Sequence, residues 1–185
     1  MRYTNIKLLL LAVLAVTIFS AVPISATVYY NEQLSLDAQK ALQTLYAESE
    51  SARTLGATAK AILVFPAISK AGFIVGGHYG EGVLTKSGNV VGYYSTVSLS
   101  YGLQAGAQKY GYAMFLMTDA AVNYLAKSEG WELGTGPTIV VVDKGASGSL
   151  STSTGQSDIY AFFFSQQGLM AGLGLQGTKI SKMKK

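Results

Sequence analysis

Residues Ala59 to Leu84 read AKAILVFPAISKAGFIVGGHYGEGVL, an apolar run punctuated by glycine that carries only three formal charges, Lys60, Lys70 and Glu81. Glycine weakens a strand unless a bulge, a bend or the close approach of another backbone needs it. A run of this composition therefore constrains the fold to strands whose main chains come into tight contact. Ala61 to Phe65 reads as an apolar strand ended by Pro66. Phe73 to Leu84 alternates, with Phe73, Val75, Gly77, Tyr79, Glu81 and Val83 on one face. Ile74, Gly76, His78, Gly80, Gly82 and Leu84 take the other. Lys86-Ser87-Gly88-Asn89 is a turn, so Phe73–Leu84 and Val90–Tyr94 are expected to form a hairpin.

The N-terminus reads as an export signal. Arg2 and Lys7 form a basic n-region, Leu8 to Phe19 an apolar h-region, and Ile24-Ser25-Ala26 a cleavage site after Pro23. The alternative is an uncleaved membrane anchor, although Thr17, Ser20 and Pro23 interrupt the run before a comfortable span of about 20 residues. Lipidation at the cut is excluded, because the chain has no cysteine. The expected organisation is thus a signal peptide over residues 1–26 and a single domain over residues 27–185, periplasmic or secreted. Without disulfides, its stability must come from a packed core.

Charge excludes one class of partner. Lysine and arginine number 14 against 10 acids. However, Arg2 and Lys7 lie in the leader, and Lys179, Lys182, Lys184 and Lys185 cluster at the C-terminus. The body between is slightly acidic, so the basic balance is a tail effect and not a nucleic-acid-binding face.

Leu34, Ala38, Ala41, Leu42, Leu45, Ala52 and Leu55 recur at helical spacing, which predicts one amphipathic helix from Leu34 to Leu55 with Gly56 as its terminator. Its mixed, acidic-leaning polar face suits packing on a sheet better than lying on a membrane. Beyond the first hairpin, Ser95–Ala107, Tyr112–Met117 and Thr138–Asp143 read as strands, and Thr118 is placed to cap a short helix Asp119–Lys127. Gly145–Gly155 reads as a loop. Ile159–Ser165 and Leu169–Leu175 read as a closing hairpin around Gln166-Gln167-Gly168. The pattern is that of an α+β domain: one N-terminal amphipathic helix packed on a strongly curved, mainly antiparallel sheet or partial barrel, with a short internal helix.

Catalytic chemistry is scarce. His78 is the only histidine and cysteine is absent, which rules out zinc sites built from His and Cys. A Ser-His-carboxylate triad would need His78 with Glu81 or Asp119, and no G-x-S-x-G elbow accompanies them. His78 reads as an ordinary strand residue, and no catalytic residue, metal site or cofactor is expected. Glu81, between Gly80 and Gly82, is a structural or functional acid that would accept main-chain N–H groups or meet Lys60 or Lys70. Gly172-Leu-Gly174-Leu-Gln-Gly177 matches the dinucleotide fingerprint G-x-G-x-x-G by letters alone. Only eight residues follow it, too few for the helix and strand that give the fingerprint its meaning.

The opening run resembles the SYLF domain. The resemblance continues in order through Gly92-Tyr93-Tyr94, Ser100 to Gln108 (SYGLQAGAQ), Met114 to Leu125 (MFLMTDAAVNYL) and Ser165 to Lys179 (SQQGLMAGLGLQGTK), and so covers nearly all of Ala57 to Ile180. It implies a non-enzymatic, membrane-associated domain, here of the bacterial exported type. Eukaryotic relatives are linked to phosphoinositide (phosphatidylinositol) lipids and yeast relatives to actin. Gln176 stands where relatives often carry an acid, and the basic amphipathic segment of lipid-binding relatives has no counterpart in the acidic-leaning helix here.

The expected partner is an anionic lipid or membrane surface, with an envelope protein as the alternative. The candidate lipid-binding residues are Lys60 and Lys70, which flank the first strand, and Lys179, Lys182, Lys184 and Lys185. Lysines at an anionic surface contribute about 1 kcal/mol each. The plainer reading of the last four is a solvated terminus.

Overall fold

A computed structural model of the chain describes residues 24–127, 131–132, 136–142, 157–168 and 178–184. Residues 1–23 of the expected leader, the stretch 145–155 read as a loop and the stretch 169–175 read as the second arm of a closing hairpin lie outside them. Gln33–Lys185 forms one compact unit. Its described elements run α1 (Ile24–Glu48), α2 (Glu50–Thr58), β1 (Ala61–Lys86), β2 (Asn89–Leu116), α3 (Asp119–Lys127), β3 (Trp131–Glu132), β4 (Ile139–Val142), β5 (Ile159–Gly168) and β6 (Thr178–Lys182). The architecture is α+β, with helices on a strongly curved half-barrel sheet. No described helix is long and apolar enough to cross a membrane.

The helical region departs from the sequence expectation at both ends of its second half. Ser49 leaves the helical conformation and its hydroxyl accepts from the Ala52 N–H at 3.2 Å, so α2 starts anew with its own N-cap. Gly56 does not end the helix, which continues to Thr58. Its missing side chain seats the ring of Tyr46, which a Cβ at that position would strike. The apolar face is as expected: Leu34, Ala38, Leu45, Ala52 and Leu55 are buried.

The sheet is organised by two very long strands. β1 and β2 pair antiparallel from Ala61↔Leu116 to Lys86↔Asn89. The loop between them is Ser87-Gly88, both with positive φ (49° and 80°), the hairpin turn whose twist matches that of the strands. Pro66 does not end the first strand. A register shift between Phe65 and Ile68 accommodates it as a bulge, where its missing N–H costs no ladder bond. Likewise the expected strands Val90–Tyr94, Ser95–Ala107 and, as far as Leu116, Tyr112–Met117 are parts of one strand, β2, bent where the register jumps between Phe73↔Ala105 and Val75↔Tyr101. The far edge of β2 is shared: β6 pairs with Tyr94–Ser98 and β5 with Gln108–Leu116. β4 joins β5 in parallel and β3 joins β6 antiparallel, so the sheet is mixed at one edge. The lysine-rich stretch read as a tail is, over Thr178–Lys182, the strand β6.

Curvature can be measured through contacts across the interior. The Tyr112 hydroxyl donates to Thr96 Oγ1 at 3.1 Å although the two residues are 16 apart on the same strand. A straight strand would separate them by about 50 Å. β1 doubles back as well. A Cβ on Gly82 would lie 2.6 Å from the Val64 carbonyl oxygen, and one on Gly80 3.0 Å from that of Ala67. Thr85 Oγ1 donates to the Ile62 carbonyl at 3.3 Å. The carbonyl edge of the first arm of β1 therefore rests on the face of its last arm, and glycine is what makes room.

Two hydrophobic clusters occupy opposite faces. Leu63, Phe65, Ile68, Leu84, Tyr94, Tyr112, Met114, Leu116 and Phe163 fill the inner face with Leu125 of α3. Val64, Val83, Ala113, Phe115, Phe162 and Phe164 on the outer face are covered by Leu34, Leu45, Ala52 and Leu55 of α1 and α2. Thr118 caps α3 as expected, its Oγ1 accepting from the Ala121 N–H at 3.2 Å. Its hydroxyl donates to Asp158 Oδ1 at 2.9 Å, while Asp158 Oδ2 accepts from the Thr138 N–H and hydroxyl, both at 3.0 Å. One carboxylate thus joins α3 to the starts of β4 and β5, and these hydrogen bonds hold it below the usual carboxylate range.

The Gly82→Ala variant is expected to lose about 1–3 kcal/mol of stability, the usual cost of overpacking against backbone. Urea unfolding with an unchanged midpoint would contradict the contact between the two arms of β1.

Candidate functional site

The inner face carries a polar belt within an otherwise apolar lining. His78 stands opposite Ser98, and Ser98 opposite Thr178, so three polar side chains line up across β1, β2 and β6. All three are buried, as is Gln108 further along β2. Because the sheet curls, Tyr110 reaches the same point from the far half of β2. His78 Nδ1 lies 3.3 Å from Ser98 Oγ and 3.3 Å from the Tyr110 hydroxyl. Lys70 is in register with Gln108, and both lie on inner-face positions of the alternation.

Burial, with a smaller contribution from the Lys70 charge, lowers the His78 imidazole to about 4. The ring is therefore neutral at pH 7. Burial pushes the Tyr110 hydroxyl up to about 12, so it keeps its proton and can donate. When Nδ1 accepts from Tyr110 or Ser98, the ring proton sits on Nε2. Among the described residues Nε2 has no hydrogen-bond partner, and neither do the buried Gln108 Oε1 and Thr178 Oγ1. Ser98 and Tyr110 are the groups placed against His78 Nδ1, and Glu81 occupies the opposite face of β1.

Glu81 accepts a hydrogen bond from the Tyr79 hydroxyl, two residues away on that outer face. This bond first, then burial and the Glu81 charge, push Tyr79 up to about 12. The expectation of a main-chain or lysine partner for Glu81 did not include Tyr79, although strand alternation puts positions 79 and 81 on one face.

The described candidate lysines lie at the start and middle of β1, on β6 and just after it. Lys60 is exposed at the start of β1, where its N–H donates to the Leu116 carbonyl at 2.8 Å. Lys70 is half-buried on the inner side. Lys179 is exposed in register with Val97, and Lys182 exposed in register with Tyr94. Lys184 is exposed, and Lys185 lies outside the described residues.

Beside Lys179 is a patch that sequence reasoning missed. Tyr79 pairs with Val97 and Gly77 with Leu99 on the outer face beyond the reach of α1 and α2. Tyr79 is 51 %, Val97 44 % and Leu99 74 % exposed. The alternation of Ser95–Leu99 carried the signal, but only the placement of the helices shows which part of that face stays uncovered.

Because His78 titrates low in the folded state and near 6.5 when unfolded, the unfolded chain binds more protons between these values. Its contribution to stability is present above about pH 6.5 and is lost as the pH falls towards 4. NMR titration of this single histidine should give a midpoint near 4; a midpoint near 6.5 would contradict the buried, neutral ring.

Compared with known proteins, residues 97–185 match the Ysc84 family, described as "Las17-binding protein actin regulator". The match begins inside β2 and runs through α3 and the strands that follow; the opening run and α1 and α2 precede it. No curated protein sequence matches the chain. The match covers residues 97–185, from within β2 to β6, and this part of the chain is similar to the SYLF family that the ordered sequence segments also resemble.

Proposed function

We propose that the chain is an exported, non-enzymatic lipid-binding module that associates peripherally with an anionic envelope membrane, without cofactor or metal. The observation that carries this reading is the outer-face patch of Tyr79, Val97 and Leu99 with Lys179 in register beside it. Exposed apolar groups of this kind mark interaction surfaces. Inserting Leu99 into an apolar phase would contribute about 1.5–3 kcal/mol, and each neighbouring lysine about 1 kcal/mol at an anionic surface. Lys182, in register with the inner-face Tyr94, takes the other face of β6. The family is linked to lipid and actin-regulatory interactions, which agrees with a binding role. Its description names a protein partner, Las17, for family members, and this favours a second reading, an envelope protein docking on the same patch.

Flotation on phosphatidylglycerol-containing vesicles tests the first reading. Binding should fall at least about tenfold in Leu99→Asn, and Lys179→Gln should weaken it more at low salt than at high salt. Failure of the wild-type protein to float, together with cross-linking to a defined protein, would replace the lipid reading with the second.

A further inference from the structure

The outer patch carries charges of both signs, and the strand pairings fix where they stand. On its middle row Tyr79 of β1 pairs with Val97 of β2, and Val97 with Lys179 of β6. Leu99, opposite Gly77, stands one row to one side, and Glu81, opposite Ser95, one row to the other. The Tyr79 hydroxyl donates to the Glu81 carboxylate, so ring and acid form one feature on the β1 side. Lys179 is exposed between the buried Thr178 and Ile180, which sends its side chain off the outer face on the β6 side. An apolar centre, Val97 and Leu99, thus lies between an aromatic ring with its acid and a base two strands away.

Such a face is complementary to itself. A second copy turned by half a rotation about an axis along β2 lays its β6 side over the β1 side of the first. Val97 then meets Val97, Leu99 meets Leu99, and the base of each copy faces the ring and acid of the other. We propose that the outer patch is an isologous interface between two copies of this chain, in which Lys179 of each copy rests on the Tyr79 ring and pairs with the Glu81 carboxylate of the other. An ammonium over an aromatic face is attracted by the ring quadrupole, and the carboxylate beside it supplies the countercharge. A lipid surface uses Lys179 and Leu99 but not Glu81; a second copy uses all three. The patch is small, and an interface of this size is a transient one, with a Kd on the order of 10–100 μM. The dimer does not rest on the membrane reading. Where that reading holds, a vesicle and a second copy compete for Leu99, and self-association keeps the patch covered in solution.

Sedimentation equilibrium of the full chain at low salt, without vesicles and over a concentration range that brackets this Kd, reads the association directly. The wild type should pass from monomer to dimer and no further. Leu99→Asn should weaken the dimer at least about tenfold, as should Lys179→Glu and Glu81→Lys, each of which sets like charges against one another in both halves of the interface. The double variant Glu81→Lys with Lys179→Glu restores opposite charges across the axis and should return to within about threefold of the wild type. All four substitutions are at positions not fully buried, and dispersed amide spectra should show that each variant is folded. A wild type that stays monomeric throughout overturns the proposal and leaves the membrane reading to the flotation test. Association that persists unchanged in Leu99→Asn overturns it, because another surface would then be responsible. A double variant as weak as the two single charge reversals overturns the pairing of Lys179 with Glu81.

Discussion

The crossing of β1 over itself is the contact on which the rest of the molecule depends. Carbonyl oxygens of Val64 and Ala67 lie only 2.6 and 3.0 Å from where the Cβ atoms of Gly82 and Gly80 would be. Without that approach, the two long strands would extend as a ladder with two wet faces. With it, the hairpin closes into a half-barrel that has an inside. Tyr110 and Tyr112 then meet His78 and Thr96 across the interior, and β5 and β6 find places along one edge of β2.

Closure also divides the side chains into two environments. Outer-face residues near Val64, Val83 and Phe115 need α1 and α2 as a lid, and the apolar stripe of those helices supplies it. The helices do not extend to Tyr79, Val97 and Leu99, which remain exposed. Inner-face residues are sealed by the curl itself and by α3. Burial there neutralises His78 and keeps Tyr110 protonated, because the charged form of each is poorly solvated.

Much of the fold was legible in the residues, and the errors have physical causes. Helix α3 and its Thr118 cap, the Ser87-Gly88 turn and the alternation of β1 were all readable, because each rests on local chemistry. Pro66 was expected to stop a strand, yet a bulge absorbs a missing N–H. Gly56 was expected to stop a helix, yet it accommodates the Tyr46 ring. In both cases a tertiary contact changed the meaning of a local signal. Lys179 and Lys182, close in sequence, fall on opposite faces of β6, which only the strand pairing reveals.

The sequence by itself determined an α+β chain with a leading amphipathic helix, glycine-rich strands needing close backbone approach, and no metal or thiol chemistry based on cysteine. These follow from residue type and period, which act over a few positions. Only the tertiary structure decided where the strands curl, which face of them the helices cover and which polar groups meet inside. Such choices depend on contacts between residues far apart in the chain, and no local period encodes them.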